Sequence, residues 1–521
     1  MMVIGDLITH NARRVPDKEG LVCAGERLTW RDLNRRINRL ANGLAGMGLR
    51  PGSRVAFILN NCKEIVELYF ATAKIGCVSV PIMPRSAGRE IAYIVNNVEA
   101  GALFVGAQHA APVQDVRNEL KSVEVVLGVG PGHPFSEDYD ELLARSQEGE
   151  PGIQVEPDSI CTIFHTSGTT GTPKGCILKH GPKITGRLSA IAHTPHQEDD
   201  RALLFYPLTL SLSTDLLQNH VLRGIPTVLL PKFDEMSVLE TIDREGITLA
   251  YVIESTFDRL IEHPDLDKFN LGSLRYLYAT SATKDASKGI RRLRRLKSFR
   301  AMFWNGYGST EGGGWLTYCG PGDIDRSLED ATFSNVFKSI GREAMLCRID
   351  CLDEEGRPVK TGEAGEMAVR APWLFSGYWK QPERTAEVLR EGRLFTGDLA
   401  RKDHNGFIYL EGRKRDMIKS GGINVYPAEI EAVFRENPKV KEVAVVGVPD
   451  PHWGEKVIAC VVARAYSTEE ELLGYCSDKL AGFKRPKSVV FLDALPTDKA
   501  GKILKRQLRE DLMKGQSIGT S

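Results

Sequence analysis

"FHTSGTTGTPKGCILKHG", residues 164–181, sets a run of Thr, Ser, Gly, Pro and Lys between two apolar segments. Glycines 168, 171 and 175 free the backbone to turn sharply and to aim several N–H groups into one concavity. The hydroxyls of Thr166, Ser167, Thr169 and Thr170 add donors, and Lys174 adds a positive charge. That donor set suits a polyphosphate. It is not a Walker loop, because Pro173 stands where that loop requires Gly. On composition alone a flexible Gly/Thr surface turn explains the stretch equally well.

Outward from this loop, helix and strand patterns alternate. "TWRDLNRRINRLANGLAGMGLRPG" reads as an amphipathic helix capped by Thr29, with Leu33, Ile37, Leu40, Ala41 and Leu44 as its stripe and Gly48 and Pro51 at its end. The runs "RVAFIL", "CVSVPI", "AGALFVGA", "VEVVLGVG", "IPTVLLP", "ITLAYVIE" and "SLRYLYAT" read as buried parallel strands. The expected fold is α/β: a large N-terminal α/β domain with stacked sheets, residues 1–412, followed by a small mobile α+β domain, residues 413–521. In the latter, "AEIEAVFREN" reads as a helix, "VKEVAVVGV" and "KVIACVVARA" as paired strands, and "GKILKRQLREDLMKG" as a charged helix. The boundary falls in the basic, glycine-bearing segment "GRKRDMIKSGG", which suits a hinge.

Length and charge narrow the function classes. A chain of 521 residues exceeds one ordinary core. Lys plus Arg and Asp plus Glu both number 68, so there is no long-range pull toward nucleic acid or an anionic membrane. The N-terminus has no signal-peptide core, no apolar run reaches membrane-spanning length, and the ten cysteines lack zinc spacing. They read as reduced thiols, which makes a cytoplasmic location the expectation. The basic run "KGIRRLRRLKSFR" carries Ile290, Leu293 and Leu296 at three-residue spacing, so it reads as a packed helix with solvated arginines rather than a nucleic-acid patch. A patch for a ligand phosphate is the lesser reading.

Three further stretches could carry chemistry. In "FWNGYGSTEGGG", a Tyr between glycines can stack on a planar base, and Glu311 beside hydroxyls suits Mg²⁺. "LFTGDLARKDHNGFIYLEGRKRD" offers Asp398 for ribose hydroxyls and Arg413 for phosphate or carboxylate. "LPTDKAGKILKRQLR" offers Lys502. Taken singly, a tight turn, a hairpin with solvated charges and a solvated lysine explain them as well.

In order, "HTSGTTGTPKG", "NGYGSTE", "TGD", "GRKRD" and "PTDKAGK" resemble the motifs of the adenylate-forming superfamily. That family contains acyl- and aryl-CoA synthetases, peptide-synthetase adenylation domains and beetle luciferases, and the resemblance covers nearly the whole chain. It implies an AMP-forming acid–thiol ligase that uses ATP, Mg²⁺ and coenzyme A. A carboxylate would be joined to AMP with loss of pyrophosphate, and a thiol would then displace AMP. Carried over residue by residue, Thr166, Ser167, Gly168, Thr169, Thr170, Gly171 and Lys174 would hold the β- and γ-phosphates. Glu311 would bind Mg²⁺, and Tyr307 would stack on adenine. Ser281, Ala282, Thr283, Asn305, Gly306, Gly308, Ser309 and Thr310 would shape that pocket, and Asp398 with Arg413 would hold the ribose. Lys502 would reach the carboxylate and α-phosphate, forming the catalytic set with Glu311 and Thr166. A rotation near Arg415 would separate the half-reactions, bringing Lys419, Gly421 and Gly422 to the pantetheine arm.

The acyl site would be walled by residues 208–215, 251–256, 278–280 and 312–315, with His165, Leu210, Tyr278, Ala279, Thr280, Gly312 and Gly313 against substrate. Here the chain departs from the family pattern. His165 replaces an aromatic or Met, Leu210 replaces a His or aromatic, and "ATSAT" replaces SGGAP. A lone His without a visible partner reads as a change of packing or pocket polarity, not as a base. The expected partners are CoA and a fatty, aromatic or alicyclic acid, and a homodimer is compatible with the family. A free-standing enzyme loading a carrier protein is the alternative acceptor chemistry, and a luciferase-like oxygenase is a more distant one.

Overall fold

The computed structural model describes residues 2–166, 173–280, 287–296, 298–420, 423–477, 479–497 and 503–514. They divide into two compact units. The first holds the described residues up to Arg348 together with Val369–Leu394; the second holds Ile349–Ala368 and the described residues from Phe395 onward.

Two large sheets organise the first unit. One has seven strands in the order Glu137–Asp138, Val125–Val129, Ala102–Gly106, Arg54–Ile58, Val78–Pro81, Ile160–Thr166 and Lys174–Lys179. Its members are parallel up to the last pair, an antiparallel hairpin that carries the glycine-rich stretch between its strands. The other has nine strands in the order Arg342–Glu343, Gly314–Cys319, Met302–Ser309, Tyr276–Thr280, Leu249–Ile253, Ala202–Leu204, Thr227–Leu229, Glu19–Cys23 and Glu26–Thr29. The apolar runs "ALFVG" and "TVL" are buried at every position, as strands covered on both faces must be. The Thr29 cap is present: its hydroxyl accepts from the Asp32 N–H at 3.1 Å, and the following helix Trp30–Gly46 buries Leu33, Ile37, Leu40, Ala41 and Leu44. The basic helix Ser287–Arg295 buries Ile290 and Leu293 and leaves its arginines exposed, with Arg294 paired to Asp325.

A five-stranded sheet belongs largely to the second unit, with Arg348–Leu352, Ala364–Arg370 and Arg393–Lys402 in order and Ile408–Arg413 antiparallel to the last. A further sheet pairs Val440–Asp450 with Gly454–Ala463, the hairpin expected from "VKEVAVVGV" and "KVIACVVARA". The helix Pro427–Arg435 lies against it through Ile430 and Phe434. Buried Glu431 ties this region together. Its carboxylate accepts from the Val445 N–H at 2.8 Å and pairs with Arg435 at 3.2 Å and Lys505 at 2.5 Å. The last helix begins at Lys505, later than its charge pattern suggests, because Ile503 forms an antiparallel bridge with Thr497 instead. Among the described residues no helix is long and apolar enough to cross a membrane.

Candidate active site

The hairpin of the first unit closes on the register pair Thr166 and Lys174, which brackets the expected phosphate loop. Ser167, Gly168, Thr169, Thr170 and Gly171 lie outside the described residues. Beneath Thr166 lies the buried thiol of Cys176, 3.9 Å from its hydroxyl. Burial and the nearby Glu311 carboxylate push that thiol well above its ordinary pKa, so it remains protonated. The downstream strand is held on its other side by residues 375–379: Ile177 N–H donates to Gly377 O at 3.0 Å, and Trp379 N–H donates to Gly175 O at 2.7 Å.

That second edge delivers a residue the motifs do not contain. Tyr378 donates its hydroxyl to Glu311 Oε1 at 3.0 Å, while Lys174 Nζ lies 4.9 Å from the centre of its ring. Burial and the Glu311 carboxylate keep the phenol protonated and therefore a donor. Glu311 is fixed a second time through its main chain, which accepts from the Phe375 N–H at 3.0 Å. One carboxylate and one ammonium, both in contact with one tyrosine, thus stand beside the closing pair of the hairpin that brackets the expected phosphate loop.

The strand Met302–Ser309 carries the "NGYGS" residues and pairs with Gly314–Cys319. Asn305 donates to Ser339 O at 2.9 Å and accepts from the Gly306 N–H at 2.8 Å. Half-buried Tyr307 has its N–H held by the Thr317 hydroxyl at 3.0 Å. The flanking glycines are needed for close pairing: a Cβ at Gly306 would stand 2.6 Å from Thr317 O, and one at Gly308 would stand 2.4 Å from Gly314 O. Ser309 accepts from the Gly312 N–H at 2.9 Å, and the Thr310 hydroxyl meets that of Ser211 at 2.9 Å. Ser281, Ala282 and Thr283 lie outside the described residues, as do the side chains of Ala279 and Thr280.

Gly313 and Gly314 have left-handed or otherwise glycine-only backbones, with φ of 67° and 142°. A Cβ on Gly313 would meet Trp373 O at 1.9 Å, and one on Gly314 would meet Arg187 Nη2 at 2.1 Å. Behind them is a buried ion cluster that periodicity does not announce. Arg187 Nη1 lies 3.0 Å from Asp215, which also holds Lys183; their side chains are 0%, 4% and 1% exposed. Basic groups therefore do stand behind the expected acyl wall, but they already share a carboxylate.

His165 sits in the hairpin ladder opposite Gly175, and neither ring nitrogen has a partner. Burial pushes its pKa down to about 4, so it is a neutral ring rather than a base at neutral pH. Leu210 precedes the helix Ser211–Arg223 and bonds only through its main chain, its N–H donating to Pro207 O at 3.0 Å. Half-buried Tyr278 joins the Ala202 and Trp304 cluster, and burial raises its phenol pKa.

In the second unit the expected ribose pair is assembled on facing strands. Asp398 and Arg413 are register partners, with Arg413 Nε 2.8 Å from Asp398 Oδ1. Thr396 braces both. Its carbonyl accepts from Arg413 Nη1 at 3.0 Å, and its hydroxyl accepts from the Asp398 N–H at 3.1 Å. Arg415 lies in the short turn Lys414–Asp416. Lys419 donates its N–H to Glu455 at 2.7 Å, and Gly421, Gly422 and Lys502 lie outside the described residues. Sequence reasoning missed Tyr378 and Arg187, and had Asp215 only as the last residue of an expected acyl-wall segment. For Tyr378 the cue was the aromatic "SGYW" turn after a strand; Arg187 carried none, because its helix His180–His193 mixes polar and apolar residues throughout.

Comparison with known proteins gives the family. Residues 8–379 match the AMP-binding enzyme family, and residues 429–502 match the AMP-binding enzyme C-terminal domain. A feruloyl-CoA synthase from an Amycolatopsis species is 35% identical over 97% of this chain and 98% of its own. An indoleacetate–CoA ligase from Aromatoleum aromaticum is 33% identical over 98% of both. Among solved structures, an anthranilate CoA ligase in complex with anthranoyl-AMP superposes with a TM-score of 0.88 at 26% identity, covering 99% of this chain and 98% of that one. An o-succinylbenzoate CoA synthetase from Bacillus subtilis with ATP and magnesium gives 0.83 at 26% identity, covering 96% and 98%. The chain therefore belongs to the AMP-binding, adenylate-forming enzymes, within their acyl- and aryl-CoA ligase branch.

Proposed function

We propose that this protein activates an aryl acid with ATP and transfers the acyl group to coenzyme A, releasing pyrophosphate and then AMP. The observation that carries the reading is the grouping of Lys174, Tyr378 and Glu311 at the closing pair of the phosphate hairpin. The donor set fits Mg²⁺ shared with a polyphosphate, which needs only one or two carboxylates because phosphate oxygens supply the rest. Among the described residues no cluster of three or more metal-ligating side chains competes for that role. Glu311 would hold the ion, whose chemistry is to neutralise phosphate charge and polarise the reacting phosphoryl group.

The chain's own groups supply the rest. Lys174 and the hairpin N–H groups would orient the leaving pyrophosphate, and Tyr378 keeps Glu311 aimed. Tyr307 would stack on adenine, and Asp398, oriented by Arg413, would accept from the ribose hydroxyls. Lys502 would stabilise charge as the carboxylate attacks the α-phosphorus. Turning of the small domain about Arg415 would withdraw Lys502 and bring Lys419, Gly421 and Gly422 to the thiol. The aryl preference rests on the ring-lined cavity described next and on relatives whose names specify ferulate and indoleacetate. The ten cysteines are free thiols, in keeping with a cytoplasmic setting.

The test is Lys502→Ala. It should abolish acid-dependent pyrophosphate release yet still convert supplied acyl-AMP and CoA to thioester. Equal loss of both steps would refute this division of labour, and thioester formation with a holo-carrier protein but not with free CoA would reassign the acceptor.

A further inference from the structure

Three of the four segments expected to wall the acyl site meet at one narrow cavity in the first unit. Tyr251, Tyr278 and Trp315 come from those segments, and Asn219, Tyr318 and His196 come from neighbouring elements. The rings form a continuous wall: Tyr251 stacks near Tyr278 at 6.5 Å, Trp315 meets Tyr251 at 5.7 Å, and Tyr318 meets Trp315 at 5.8 Å. A flat aromatic guest matches such a wall better than a flexible chain does.

The polar atoms of this cavity are the informative part. Asn219 Oδ1, Tyr318 Oη and His196 Nδ1 are all shielded from solvent, and none has a hydrogen-bond partner. Asn219 and Tyr318 are each only 8% exposed. Leaving one such atom unsatisfied is costly, and three at one cavity ask for a ligand group that can serve them. No Asp, Glu, Lys or Arg lines the cavity. Burial holds the two imidazoles neutral, with His196 pushed down to about 4 and His220 to about 3, and it keeps the Tyr318 phenol protonated. A second carboxylate would find no cation in the lining itself, and Arg187 behind Tyr318 is already paired with Asp215. A hydroxyl both donates and accepts, so it can give its proton to Asn219 and accept from Tyr318.

We propose that Asn219 and Tyr318 are specificity-determining residues that select aryl acids bearing a neutral, hydrogen-bonding ring substituent, a phenolic hydroxyl above all. This rests on the adenylation reading given above. The assay is pyrophosphate release by the full-length protein with ATP, Mg²⁺ and CoA. The probes are matched acids: cinnamic and 4-hydroxycinnamic, benzoic with 3- and 4-hydroxybenzoic, and terephthalic. At least one hydroxylated acid should exceed its parent in kcat/KM by about tenfold or more, as expected for a buried site built around a hydrogen bond. Terephthalic acid should be the poorest. Tyr318→Phe and Asn219→Leu should each pull the hydroxyl-to-parent ratio toward one. A ratio near one in the wild type means that an enclosed water serves these atoms, and it overturns the inference; so does a high ratio unchanged in both variants. If one variant fails to fold, the ratio in the other decides. Release with the parent acids but no hydroxyl preference leaves the adenylation reading standing. Absence of release with every one of these acids, and with a fatty acid run beside them, overturns both.

Discussion

Replacing Asp215 by Asn should be the most damaging conservative change in the first unit, although the residue belongs to no motif. Asp215 is the counter-ion of two cations that are almost wholly out of water: Arg187 at 3.0 Å and Lys183 in direct contact. Without the carboxylate, the guanidinium keeps only the Gly313 carbonyl, at 3.4 Å. The two cations then differ. Burial already holds Lys183 below its ordinary pKa, so it can shed its proton and its penalty. Arg187 cannot. Breaking a buried pair by removing one partner costs about 3–5 kcal/mol, and the escape of Lys183 places the expectation near the lower end, about 3 kcal/mol. That is about two powers of ten in the unfolding equilibrium. Urea unfolding read by tryptophan fluorescence measures it as a lower midpoint at unchanged slope, since Trp304, Trp315 and Trp373 all belong to this unit. A second variant isolates the cause: Arg187→Met together with Asp215→Asn removes the stranded charge and should recover most of the loss. A loss below about 1 kcal/mol for Asp215→Asn would refute the argument, because a stranded buried arginine cannot cost so little.

Other consequences are as open to test. Tyr378→Phe removes the hydroxyl bonded to Glu311 and should raise KM for MgATP by roughly tenfold, the worth of one hydrogen bond to a charged group; an unchanged KM would mean that Tyr378 does not position Glu311. Acid should destabilise the first unit before its carboxylates titrate. His165, His180, His196 and His220 have native pKa values pushed down to about 4, 4, 4 and 3, so between the ordinary value of 6.5 and those values the unfolded chain takes up protons that the native chain refuses. Stability is then full above 6.5 and falls as pH drops, by about 1.4 kcal/mol per pH unit for each histidine. His165→Phe should make that slope shallower by one histidine's share between pH 6.5 and 5, read from urea midpoints, and an unchanged slope would show that the ring is already solvated. In the second unit, Glu431→Gln should lower the thermal midpoint, since it weakens the joint hold on Arg435, Lys505 and the Val445 N–H; a midpoint equal to wild type would remove Glu431 from that role.

What was legible in the sequence was local or repetitive. The Thr29 cap and the stripe from Leu33 to Leu44 are set by neighbours a few residues away, and the parallel strands announce themselves as unbroken apolar runs. The motif order led directly to the family, whereas the hairpin around the phosphate stretch and the pairing of Asp398 with Arg413 came only from the fold. The clash that makes Gly313 indispensable comes from Trp373, and the aim of Glu311 comes from Tyr378, partners that only folding brings close. Arg187 and Lys183 read as ordinary solvated positions on a helix, and only the fold shows them buried on Asp215. The chain gives the residues of a site freely and conceals whatever holds them still, because the support is tertiary.

The way the first unit is threaded bears on how it is made. Val369–Leu394 belongs to that unit, yet the chain reaches it only after Ile349–Ala368 has been committed to the second. A ribosome that has delivered everything through Arg348 has produced both large sheets but neither Trp373 nor Tyr378. At that moment the outer edge of the strand Lys174–Lys179 lacks its partners from 375–379, and Glu311 lacks the Tyr378 hydroxyl and the Phe375 N–H. The nascent hairpin is therefore an unfinished edge strand through the synthesis of about thirty further residues, the interval in which a chaperone or a misplaced strand could occupy it. A fragment stopped at Arg348 would inherit that exposed edge permanently; one carried through Leu394 would not.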